Sequence, residues 1–144
     1  YAYMHRMLVD KALGQVIDEL KANGLYDDTM IIFTSDHGDM CGAHNRFDKG
    51  PYFYDEVWRI PMIIRDKDKK PAHNDSYVTL MDLGRTLFEG FETPLDVPFE
   101  GRNISQLLGS DREPDNWKNE VYGMYDNYNG MSFRVRSIRT EKYK

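Results

Sequence analysis

Cysteine occurs once in the 144 residues, at Cys41, which excludes an internal disulfide framework and leaves the redox compartment undecided. Long apolar runs are missing too. No stretch approaches the ~20 residues that span a bilayer, so no membrane span is expected, and no leader pattern is present. The missing leader says nothing about export, and periplasmic, secreted and cytoplasmic locations all stay open. A basic excess is likewise absent: 24 acidic against 19 basic residues give a net charge of −5, whereas a face that binds phosphates shows as surplus Lys and Arg, so nucleic acid is not an expected partner. There is no internal repeat and no low-complexity stretch. What is there, 40% hydrophobic and 13% aromatic residues, is the composition of a globular chain of one-domain size that can bury a core.

The apolar residues fall into a clear order of elements. Met4, Leu8, Ala12, Leu13, Val16, Ile17 and Leu20 recur at helical spacing, which predicts a helix within Tyr1 to Leu25 ended by Asn23-Gly24. Asp27-Asp28 turns the chain into the apolar run Met30 to Phe33, and Ile60 to Ile64 is a second run of that kind. Continuous apolar strands reached from helices predict a parallel sheet covered on both faces. Asp75 or Ser76 caps a second helix carrying Val78, Met81, Leu83, Leu87 and Phe88, and Gly90 stops it. Residues 92–119, rich in Pro, Gly, Asp and Asn, read as irregular connection with a short helical piece at Ile104 to Leu108. Glu120 to Tyr125 and Ser132 to Arg139 read as an antiparallel hairpin around Asp126 to Gly130. The expected division is residues 1–91 as part of an α/β core and 92–144 as connection and small subdomain. Two N-x-S sequons, at Asn74 and Asn103, are of a kind common by chance.

The chemistry gathers between the two strands. Asp36 and His37 stand where the Met30 to Phe33 strand ends, the place where ligands collect in open α/β sheets. Adjacent oxygen and nitrogen donors, with Gly38 permitting a sharp turn, suit a divalent cation. His44 and Lys49 follow in the same loop, adding a titratable imidazole and a fixed positive charge. The bland alternative is that Asp36 caps a turn, His37 packs on the loop and Lys49 is a solvated surface lysine. Cys41 has no adjoining base and reads as a neutral filler. Arg59 is expected to pair with Asp55 or Glu56, Tyr52, Phe53, Tyr54 and Trp58 to form core or pocket wall, and His5 and His73 to lie on the surface.

The ordered series Thr34-Ser35-Asp36-His37-Gly38, Gly42-Ala43-His44, Lys49, the cluster Tyr52 to Glu56, and Arg59-Ile60-Pro61-Met62-Ile63-Ile64-Arg65 resembles the sulfatase family, the formylglycine-dependent sulfate-ester hydrolases of the alkaline phosphatase superfamily. Gly101-Arg102-Asn103-Ile104, Leu107-Leu108-Gly109 and Val135 to Lys144 resemble later parts of the same family. The resemblance implies part of an α/β three-layer sandwich with a mostly parallel sheet, followed by a small antiparallel C-terminal subdomain. It implies Asp36 and His37 as metal ligands and Lys49 as the sulfate-contacting lysine. His44, from the chemistry of its imidazole, is expected as a proton donor or substrate contact, although related sequences place their general acid in segments absent here. The resemblance implies a divalent metal, Ca²⁺ first, with Mg²⁺ and Mn²⁺ also compatible. The expected partners are a small-molecule or carbohydrate sulfate ester and the remainder of the catalytic domain. The C/S-x-P-S-R nucleophile motif and the N-terminal Asp pair of such enzymes do not occur here, so the expectation is a C-terminal fragment, inactive alone, whose formylglycine lies outside this segment. A phosphonate or phosphate monoester hydrolase of the same superfamily, or a degenerate binding module without catalysis, are the alternatives.

Overall fold

The computed structural model describes residues 2–91 and 98–144, apart from the side chains of Ala2, Tyr3, His5, Tyr128 and Met131. The chain is α/β, and by its internal contacts it divides into two compact units. One comprises Tyr1–Lys49 with Glu56–Asp68, the other Gly50–Asp55 with Lys69–Lys144. The beginning of the expected 92–119 connection and the side chain of His5 lie outside the described residues.

The first unit opens with α1, Ala2–Ala22. Its end follows from Gly24, whose φ of 69° lets Leu25 N–H reach Leu20 O at 2.9 Å and Gly24 N–H reach Lys21 O at 3.1 Å. This pair of bonds satisfies carbonyls that the helix leaves open. Leu13, Ile17 and Leu20 are half-buried, whereas Met4, Leu8 and Val16 are exposed. A short 3₁₀ turn, Tyr26–Asp28, leads into β1, Ile31–Thr34. Arg65 fastens that turn, donating to Tyr26 O and Thr29 O and lying 3.9 Å from the centre of the Tyr26 ring.

β1 pairs with β2, Met62–Arg65, in the register Ile31↔Arg65 to Thr34↔Met62. The pairing is antiparallel, which corrects the parallel neighbour expected from two apolar runs. The intervening residues 35–61 are long enough for a crossover but hold only short helical turns, without the packed helix that usually joins parallel neighbours. Both strands are half-buried rather than covered on each face, with Ile63 61% exposed.

The second unit is held by α2, Leu80–Gly90, and by a hairpin of β3, Glu120–Tyr128, with β4, Met131–Thr140. The α2 cap is Thr79, not Asp75 or Ser76. Its hydroxyl accepts from Asp82 N–H while the Asp82 carboxylate accepts from Thr79 N–H, a reciprocal box that ends any competition for the helix start. Asn74 and Asn119 side chains meanwhile accept from Ser76 and Tyr77 N–H and hold them in a non-helical run. The expected helix at Ile104 to Leu108 is a turn, yet it supplies the core: Ile104, Leu107, Leu83 and Trp117 are buried. The hairpin turns at Asn129-Gly130, with φ of 49° and 77°, the two-residue reversal this dipeptide favours. The strands are accordingly longer than predicted, and Asp126 falls at a register shift within them.

Candidate active site

The turn after β1 is built by a close approach of backbone to backbone. Gly38 N–H donates to Val57 O at 2.8 Å, and a Cβ on Gly38 would stand 2.0 Å from Glu56 O, so no other residue fits there without displacing the segment that carries Glu56. Thr34 Oγ1 donates to Pro61 O, and Ser35 Oγ donates to His37 O at 2.8 Å. These bonds fix Asp36 and His37 just beyond the strand's carboxyl end, as the sequence predicted.

His37 Nδ1 lies 2.8 Å from Gly38 O. A carbonyl only accepts, so Nδ1 carries the hydrogen and the lone pair of the neutral ring is at Nε2. Nε2 stands 3.4 Å from Asp36 Oδ2 and 2.7 Å from Lys49 Nζ. Asp36 Oδ1 is engaged by His37 N–H at 2.9 Å and by the Ser35 hydroxyl at 3.3 Å, leaving Oδ2 outward. The His37 N–H bond, with the Ser35 hydroxyl adding to it, holds this solvent-exposed carboxyl below the ordinary carboxylate range.

The following loop is wound through an unusual series of left-handed residues: Cys41, Gly42, His44, Asn45, Asp48 and Gly50 all have positive φ. Four of these are not glycine, a local cost of the kind that concentrates at functional sites. Met40, 2% exposed, is the loop's anchor. Its N–H donates to Asp48 O, and its carbonyl accepts from Ala43 N–H at 2.7 Å. Sequence reasoning missed Met40, since a single methionine in a polar loop gives no periodic signal. His44 Nε2 lies 3.8 Å from Glu56 Oε1. Glu56 was also missed in this role; its charge opposite His44 was the available hint.

Several bland expectations resolve here. Cys41 is exposed, and its hydrogen bond to Asp39 pushes the thiol up, so it stays neutral. Arg59 does not pair as expected: Asp55 binds Arg139 and Lys144, Glu56 binds His44, and Arg59 instead lines an open cleft of about 1770 Å³ together with His37, Phe33, Asp39 and Glu56. In the second unit Phe53 packs against Tyr125 with ring centres 5.7 Å apart, over Gly123, while Tyr54 is exposed. His73 is exposed beside Asp75. Among the described residues no three His, Cys, Asp or Glu side chains converge as a complete cation cage. The donors at hand nevertheless suit one. Their 3.4 Å separation matches two ligands on one ion bonded at roughly 2.1–2.5 Å, and a ring whose other nitrogen is fixed by a carbonyl is the usual state of a ligating histidine.

The sulfatase family profile matches residues 3–92, the stretch that contains Asp36, His37, His44 and Lys49. The chain belongs to the sulfatase family. It is 32% identical over 145 residues to the N-acetylglucosamine-6-O-sulfatase of Bacteroides thetaiotaomicron, an alignment covering 96% of this chain and 25% of that sulfatase. Two solved structures have the same fold. One, in complex with its substrate D-glucosamine-2-N,6-O-disulfate, superposes with a TM-score of 0.80 at 28% identity over 93% of this chain and 28% of that one. The other, a phosphonate monoester hydrolase from Silicibacter pomeroyi, superposes with a TM-score of 0.74 at 32% identity over 82% and 23%. This sulfatase-family chain thus spans about a quarter of the length of its curated relative.

Proposed function

We propose that the chain is the cation-binding and anion-binding portion of a sulfuric ester hydrolase acting on a carbohydrate or other small sulfate ester. The observation that carries this reading is the meeting of Asp36 Oδ2, His37 Nε2 and Lys49 Nζ at the end of β1, within 3.4 and 2.7 Å. A sulfate ester is anionic and repels a nucleophile, so its hydrolysis needs positive charge on the sulfuryl oxygens and a proton for the departing oxygen. Asp36 and His37 hold a divalent cation, Ca²⁺ before Mg²⁺ or Mn²⁺ because further oxygen ligands are expected from the rest of the catalytic domain. When bound, that ion supplies charge to the sulfuryl oxygens. The Lys49 ammonium holds a further oxygen as a point charge. His44, steadied by Glu56, contacts the substrate or returns the proton. The nucleophile, a formylglycine, comes from outside these residues. In the intact protein, residues 1–91 belong to the catalytic core and 92–144 to the connection and the small antiparallel subdomain.

The test is hydrolysis by the intact protein of 6-O-sulfated N-acetylglucosamine and an aryl sulfate, set against a phosphonate monoester. The likeness to the Silicibacter hydrolase supports phosphonate ester hydrolysis as a second reading, and the ratio of the kcat/KM values decides between them. Turnover of neither, with retained affinity for sulfated sugar, would assign the protein to the non-catalytic binding class.

A further inference from the structure

We propose that Lys49 and the divalent cation compete for one acceptor, the Nε2 lone pair of His37, so that cation binding releases the Lys49 ammonium to the anionic substrate. This rests on the cation reading above and adds a coupling between two ligands that the reading does not contain. The Nδ1 hydrogen is committed to Gly38 O, and a neutral imidazole then has a single in-plane lone pair, at Nε2. Lys49 Nζ, which can only donate, stands 2.7 Å from it. Asp36 Oδ2 stands 3.4 Å from the same atom, at the spacing of two ligands on one ion. One lone pair cannot accept a hydrogen bond and coordinate an ion together, so the two positive groups exclude each other there. No proton changes owner: the ammonium keeps its three hydrogens and loses one acceptor.

Lys49 is built to move between acceptors. Its backbone is fixed by an N–H bond to Asp48 Oδ1 at 2.7 Å, while its exposed head sits on a flexible four-carbon stem. Once released, the ammonium has its donors free for a sulfuryl oxygen. Cation and anion then assist each other's binding, and the assistance is equal in both directions.

The experiment uses the intact protein, stripped with a chelator, as wild type and Lys49→Met. Titration with Ca²⁺, followed by calorimetry, is expected to give about tenfold tighter binding or more in the variant, because a hydrogen bond from a charged donor no longer has to be broken. The imidazole ¹⁵N signals of His37, assigned by their loss in His37→Gln, provide the second readout. In stripped wild type the Nε2 signal is expected upfield of its position in Lys49→Met, and Ca²⁺ should bring the two proteins to the same position. Inorganic sulfate should bind wild type more tightly with Ca²⁺ than without, and Lys49→Met should lose the part of that difference carried by the released ammonium while keeping the part the ion itself supplies. Equal Ca²⁺ affinities overturn the proposal. So does a tighter variant whose Nε2 signal in the stripped protein matches wild type, since simple charge repulsion then explains the gain. Sulfate ester turnover is scored separately: exchange at His37 without turnover removes the functional reading alone, and turnover with a His37 signal indifferent to Lys49 removes this inference alone.

Discussion

Lys49 is exposed, and the role proposed for its ammonium is to hold an oxygen of the reacting ester. Changing it to Ala in the intact enzyme should therefore cost turnover and spare the fold. Loss of one such donor is worth ~3 kcal/mol in the transition state, about a hundredfold or more in rate, and steady-state kinetics beside a thermal melt separates the two effects. A lower melting temperature with unchanged turnover per folded molecule would return Lys49 to the solvated surface. Asp36 predicts a different pattern. On the proposed reading Asp36→Ala removes a carboxylate ligand, so elemental analysis should find the bound cation lost along with activity, while full cation content with low activity would give Asp36 some other role. Asp36, His37 and Lys49 were legible because they are charged or titratable and cluster at a strand end. Met40 was not, because a single buried methionine in a polar loop gives no periodic signal, and Glu56 was not, because its pairing with His44 spans twelve residues and only its charge hinted at it.

At the level of elements, the helix from Leu80 to Gly90 depends on one buried carboxylate. Asp82 is 2% exposed. It accepts from Thr79 N–H, from Arg102 N–H at 2.7 Å and from the Arg102 guanidinium at 2.8 Å, and that guanidinium lies 4.1 Å from the Trp117 ring centre. Burial alone would raise the Asp82 pKa, but the hydrogen bonds from Arg102 and Thr79 outweigh it and leave the carboxyl below the usual range. A depressed folded pKa stabilises above the unfolded value near ~3.9 and loses that stabilisation as pH falls through the folded value. Asp82→Asn should thus cost about 3 kcal/mol at pH 7, as for a buried pair with one partner removed, and the cost should shrink below about pH 4. Denaturant melts followed by circular dichroism at pH 7 and pH 3 check both parts, and an equal loss at the two pH values would refute the charge argument. The helix was readable from its apolar spacing, but its start was not. Asp75, Ser76 and Thr79 all have capping side chains, and the choice fell to the residue with an acid three places on. The hairpin shows the same limit: Asn129-Gly130 was in view, but Asp126 and Asn127, which lie in β3, have the side chains of turn residues and were assigned to the turn.

For the molecule as a whole, the 144 residues by themselves should hydrolyse no aryl sulfate and hold Ca²⁺ weakly. Two ligands seldom retain that ion against water, and a partial catalytic set loses nearly all its rate. Measurable turnover by the purified chain would overturn the reading of this piece as one part of a larger site. The α/β character and the hairpin were legible from apolar periodicity and turn residues. The pairing direction of the two short strands was not, because apolar runs of four residues read the same in either direction, and direction is set by the chain between them. That intervening loop has a chemical consequence of its own. Met4, Met7, Met30, Met81 and Met124 are all exposed by 46% or more, whereas Met40 is 2% exposed. Mild peroxide should therefore convert those five to sulfoxide first, and Met40 only as fast as its loop opens. The lag of Met40 behind the others, read by mass spectrometry, becomes a clock for opening of that loop. Once Met40 is oxidised, a polar sulfoxide in that buried position should keep the loop from closing again until a reductase restores the thioether.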